Sequence, residues 1–338
     1  MATEKQPEHD ELIHIGPEMA VAEADVHPEE AGAFVQGTSL WRDAWRRLLK
    51  NKLAVFGLVV VIVVTITSII GPTVIQKTFG FTPDYIPTND ERLTKSFPPF
   101  TGPDGKFSWL HPMGTDNAGR DQLARVLQGG QISLFIGILS TVVSLLIGVS
   151  YGAIAGYVGG RVDNLMMRIV DVLYSLPYII LVIVLLSLFR SQTPRGQLTL
   201  LFIAIGSVSW LTMARIVRGQ ILSLKNQEFV LAARATGVSA SRIIFRHLVP
   251  NTLGPVIVYA TLTIPQIMLT EAFLSFLGFG VQAPLASWGT LAADGITNIA
   301  VFPWQLIFPG ATMALTLFSL NFLGDGLRDA LDPQMRTV

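Results

Sequence analysis

The stretch EFVLAARATGVSASRIIFRHLVPN, residues 228–251, decides how the chain is read, because it is a basic amphipathic island between two long apolar segments. Residues 229–236 are good helix formers, and Gly237 stands where a left-handed cap would end the helix. Ser239 is placed to accept from the amides of a second helix, which runs through Arg242, Ile243 and Arg246 until Pro250 stops it. The expectation is two short helices at an angle. Arg234, Arg242, Arg246 and His247 make the loop positive, so the positive-inside bias puts it in the cytoplasm, where something must dock on it.

Outward from this island the chain is apolar. Half of its 338 residues are hydrophobic and 14% are charged, which argues for a polytopic membrane protein before any further motif is read. There is no cysteine, so disulfides, thiol catalysis and thiolate metal sites are excluded. Residues 1–38 are acidic and lack apolar periodicity, and they read as a disordered cytoplasmic tail; His9, His14 and His27 are scattered through it and form no ligand set. Residues 39–72 hold an interfacial helix and a first span. In that helix Trp41, Trp45, Leu48 and Leu49 fall at helical spacing, while Arg42, Arg46, Arg47, Lys50 and Lys52 hold the N-terminus inside.

Residues 73–131 form a polar loop, read as periplasmic, in which Asp116 or Asn117 caps a short helix closed by Gly129 and Gly130. A core from 132 to 326 carries five further spans, at 132–157, across a bend at Pro177 to Phe189, at 198–214, at 253–280 and at 307–322. The basic loop 227–251 interrupts it, and residues 327–338 return to the cytoplasm. Arg168 and Asp171, three residues apart, read as a local or inter-span pair near the inner surface. Trp288 and Trp304 suit an outer interfacial belt. Glu271 is the one acid deep in an apolar run. It lies either on the translocation path or its outer gate, or is a structural acid bonded to a Ser or Thr of a neighbouring span.

Missing chemistry narrows the function. No GxxxxGK[ST] occurs; the nearest approach, GPDGKF at 102–107, sets its glycines too close and has Phe107 where a hydroxyl is needed. HExxH is also absent, and the chain is not read as an enzyme.

Ala232, Ala233, Gly237 and Pro250 stand at the spacing of the EAA loop of ABC importer permeases, and the chain resembles that family. Leu231 departs from the Glu common in the motif, and His247 from a branched apolar residue. HPMGTD, SFLGFG and LGDGLRDALDP extend the likeness to the oligopeptide, dipeptide and nickel importers over about nine tenths of the chain. The resemblance implies an all-α permease of the MetI-like type I fold in a bacterial inner membrane. It pairs with a second, similar permease, with two ABC ATPase subunits and with a periplasmic or lipid-anchored peptide-binding protein. ATP and Mg belong to the ATPases, and neither cofactor, metal nor nucleic acid is expected on this chain. Leu231, Ala232, Ala233, Thr236, Gly237, Val238, Ser239, Arg242, Arg246 and Pro250 would form the coupling loop to the ATPase. Dipeptides, nickel or another small solute are alternative cargoes. An ion-coupled secondary transporter would need inverted repeats and several intramembrane acids, of which no repeat and one deep acid are seen.

Overall fold

The computed structural model describes residues 40–87, 96–102 and 104–331. The expected acidic tail with its three histidines, and the last residues 332–338, lie outside them. The described chain is helical, with isolated bridges at Thr101–Phe107 and Thr115–Asp121 as its β-type pairing. Its helices are α1 (Leu40–Lys50), α2 (Lys52–Phe79), α3 (Gln122–Val158), α4 (Gly160–Ser175), α5 (Tyr178–Leu188) and α6 (Pro194–Leu224). There follow α7 (Glu228–Ala235), α8 (Ala240–Arg242), a π turn over Ile243–Leu248, α9 (Val249–Asn251), α10 (Leu253–Phe276), α11 (Trp288–Thr297) and α12 (Trp304–Leu331). Helices α2, α3, α6, α10 and α12 are each long and apolar enough to cross a membrane. Helices α4 and α5, bent by 85° at Leu176–Pro177, make a sixth crossing if taken as one broken span.

Helix α1 is amphipathic, and its Ala44–Leu48 edge is buried against α12, whereas Trp45 and Leu49 face outward. Asn51 separates it from α2, accepting from the amides of Leu53 (3.1 Å) and Ala54 (3.2 Å). Along α2 the side chains of Phe56, Val59, Val63, Ile66 and Ile69 are exposed, an apolar face that suits hydrocarbon. Its other face packs on α12 and α3.

The most extensive pairing in the molecule is α3 with α6. Gly148, Gly152 and Gly156 recur every four residues along one edge of α3. A Cβ at Gly148 would stand 2.6 Å from that of Met213, and one at Gly156 3.0 Å from the Arg218 carbonyl. The two backbones therefore meet with no side chain between them, the packing that small residues permit in membranes.

Three expectations give way here. Helix α3 begins at Asp121, whose carboxylate accepts from Ala124 N at 2.7 Å, and runs unbroken through Gly129 and Gly130. Those glycines do not close a helix; the indole of Trp288 and the Ser68 side chain lie against their bare backbone. Trp288 is wholly buried, donating from Nε1 to Val126 O at 2.8 Å, so it is a core residue and not part of a belt. Of the two readings of Arg168 and Asp171 the local pair gives way: Arg168 pairs with nothing among the described residues, and Asp171 forms the inter-span pair, with Arg215 at 2.7 Å.

Segment 96–121 is tied down onto the start of α12. Buried Gln305 donates from Nε2 to Thr115 O (3.2 Å) and Ser96 Oγ (3.1 Å), and Trp304 Nε1 donates to Thr115 O at 3.1 Å. Helix α11 is set between α10, α12 and α3, opened by a reciprocal cap between Ser287 and Thr290.

Candidate coupling surface and intramembrane cleft

The basic island folds as a hairpin of short helices. Gly237 has φ +76°, its amide donates to Arg234 O (3.0 Å), and the Val238 amide reaches back to Ala233 O (3.1 Å). These two bonds are a Schellman closure, with Val238 partly buried as its hydrophobic contact. The Thr236 hydroxyl adds bonds to the carbonyls of Ala232 and Ala233. Ser239 has the extended backbone of an N-cap, but its side chain makes no capping bond. Nor does Pro250 stop the second helix. It sits in the three-residue α9 directly after the π turn, whose altered bonding accommodates a residue without an N–H, and a nearly continuous helical path runs from Ala240 through the π turn into α10.

Burial divides this hairpin cleanly. Val230, Ile243, Ile244 and Leu248 are buried with Met213, Val217 and Ile221 of α6. Of the ten residues singled out from the sequence, Ala233 and Val238 are partly buried, and Leu231, Ala232, Thr236, Gly237, Ser239, Arg242, Arg246 and Pro250 are exposed. The exposed Phe229 and Phe245 add apolar area to that surface. The root is fixed by Lys225 Nζ on Gly156 O (3.1 Å), by Arg234 over the Tyr157 ring (5.0 Å) and by a two-bond clamp of Arg218 on Asp163 (2.5 and 2.7 Å).

Glu271 lies far from the hairpin, 1% exposed. Its carboxylate accepts from Ser275 Oγ and Ser287 Oγ, each at 2.6 Å, and stands 3.4 Å from Ser133 Oγ. Ser133 in turn accepts the Trp288 amide at 3.1 Å. The acid thus joins α3, α10 and the start of α11, the geometry of the structural alternative, and it does not line the cleft described next.

That cleft, about 520 Å³, opens where α4 breaks from α5. Tyr174 and Tyr178 flank the break, Ser209 and Thr212 of α6 form one wall, and Tyr259 and Gln266 of α10 another. The sequence reading missed it. Pro177 marked the bend, but the facing polar positions lie on three elements, and no single run displays them together.

A bundle of apolar helices with one broken span, a charge-free cleft at the break and a helical knob anchored by its inner face defines a membrane permease. Family comparison narrows that class: a model of the binding-protein-dependent transport system inner membrane component matches residues 148–337. The N-terminal TM domain of oligopeptide transport permease C matches residues 39–99. The chain belongs to this family and is the permease subunit of an ABC importer. It is 47% identical to the oligopeptide transport system permease protein OppC of Haemophilus influenzae over 302 residues, covering 89% of this chain and 91% of the relative. To OppC of Bacillus subtilis it is 45% identical over 298 residues, 88% and 91% of the two chains. To the B. subtilis dipeptide transport system permease protein DppC it is 42% identical over 334 residues, 98% and 97%. An inward-facing structure of the MetNI methionine ABC transporter superposes with a TM-score of 0.49 at 17% identity, covering 61% of this chain and 96% of that one.

Proposed function

We propose that the chain is one of two permease halves of an oligopeptide importer of the bacterial inner membrane. Two ABC ATPases dock on the α7–α8 knob, and a periplasmic or lipid-anchored binding protein delivers the peptide. ATP and Mg are held by the ATPases. The observation that carries this reading is the division of the knob, with an apolar root buried against α6 and the residues matching the EAA spacing left exposed. Charge supports a cytoplasmic knob and cytoplasmic termini: Arg215, Arg218, Lys225, Arg234, Arg242, Arg246 and Arg328 gather toward that end. Closure of the ATPase pair on ATP would push the knob, and α10, continuous with it, would turn with it. Dipeptides are the second reading, favoured by the likeness to DppC along nearly the whole chain.

Gly237 offers the test. A Cβ there meets nothing within 4 Å, so a side chain has room toward whatever docks, while φ +76° strains any residue but glycine. In vesicles holding the complete transporter, Gly237→Asp is expected to abolish peptide-stimulated ATP hydrolysis, whereas Gly237→Asn, which visits positive φ as Asp does but carries no charge, is expected to keep part of it. Full stimulation by Gly237→Asp would remove the knob from coupling.

A further inference from the structure

We infer that the cleft at the α4–α5 break is where the cargo peptide passes, and that it holds the peptide by its main chain through neutral hydrogen bonds. This rests on the peptide-import reading above.

Inside a membrane, non-helical backbone survives where it lines a cavity that water or solute fills. The break supplies such backbone, since no side chain caps the start of α5 and its first-turn amides have no partner within the helix. Two side chains add to the demand. Among the described residues neither the Gln266 side-chain amide nor the Tyr259 hydroxyl has a hydrogen-bond partner, although both line the cleft. Lipid tails cannot satisfy an amide, and leaving it bare costs several kcal/mol. Something polar therefore occupies this space during function.

The lining also states what kind of solute that is. None of its residues is charged. Arg215, which stacks on the Tyr174 ring at 4.2 Å, is already paired with Asp171. A charged group would enter without a counter-charge, whereas a peptide main chain brings one neutral donor and one neutral acceptor per residue. The Tyr178 amide, the Gln266 amide and the Tyr259 hydroxyl offer that same mixture, beside the weakly bonded pairs Tyr178–Ser209 (3.4 Å) and Thr212–Tyr174 (3.5 Å). At about 520 Å³ the space is in the range of ligand sites. Side chains of the cargo would then be tolerated without being read.

The chain has no cysteine, so Gln266→Cys and Thr212→Cys each give it a unique thiol, read on this subunit's own band after the assembled transporter is labelled. Tri-alanine with ATP and the binding protein is expected to slow maleimide labelling of both thiols several-fold, and to leave Leu146→Cys, which is 68% exposed on α3, unchanged. A second readout uses charge. The native chain is expected to import Ala-Glu-Ala and Ala-Lys-Ala in a fixed ratio, and Gln266→Glu to lower that ratio about tenfold by like-charge repulsion at the cleft wall. Thr212→Asp places the same charge if Gln266→Glu fails to assemble. Uptake by the native chain with both thiols unprotected, or an unchanged ratio in the charged variants, would overturn the cleft assignment alone. No peptide uptake by the native chain would overturn the cargo reading and this one with it.

Discussion

Glu271 sets the tone at the residue scale, because its environment could not be read from its own neighbours. Sequence placed one acid in an apolar run and predicted that it must find partners. Ser275 lies one turn on in the same helix. Ser133 and Ser287 come from α3 and from the cap of α11, and only the fold brings them to the same carboxylate. Replacing Glu271 with Leu strands these hydroxyls at about 1–3 kcal/mol for each left unpaired, so a clear fall in the thermal midpoint of the detergent-solubilised transporter is expected. Glu271→Leu with unaltered stability and reduced uptake would instead favour a role on the path. Gly237 was legible for the opposite reason. Its positive φ is a local demand, and the run ATGV announces it. Trp288 was misread because an aromatic near a span end looks the same in sequence whether it faces lipid headgroups or a pair of glycines.

Among the elements, periodicity and charge located the spans, and the errors lie at their ends. Asp116, Asn117 and Asp121 are all credible caps; the choice of Asp121 follows from the bond to Ala124 and from His111, whose Nδ1 lies 2.8 Å from the same carboxylate. Proline breaks an α-helix in its interior, which predicts a stop at Pro250, yet here it follows a π turn and the helical path runs on. The glycine edge of α3 makes a prediction for an element as a whole. Gly152→Leu would drive a branched side chain into the Ala214–Arg218 backbone, so α3 and α6 must part. Loss of assembled transporter from membranes is the expected outcome, measured by co-purification of the ATPase. The same change at Gly254, where a Cβ meets nothing within 4 Å, should leave assembly intact.

For the whole molecule, orientation is the quantity to test. With six crossings and an inward knob, Ser239→Cys should react with a membrane-impermeant maleimide only after the cells are permeabilised, and Trp109→Cys, 68% exposed in the segment between α2 and α3, should react in spheroplasts that remain intact. Reversed labelling would invert the topology while leaving the fold untouched. The seam of α3 against α6 carries one more consequence, which concerns descent. Backbones that touch leave no side chain to vary, so inherited change along Gly148, Gly152 and Gly156 has little room to be neutral. Part of the cleft wall, Ser175 and Thr263 among it, is built instead from side chains that bond within their own helices, while Tyr178–Ser209 and Thr212–Tyr174 bond across them. A lineage can therefore vary such wall positions one at a time, while the frame that holds the helices together stays as it was.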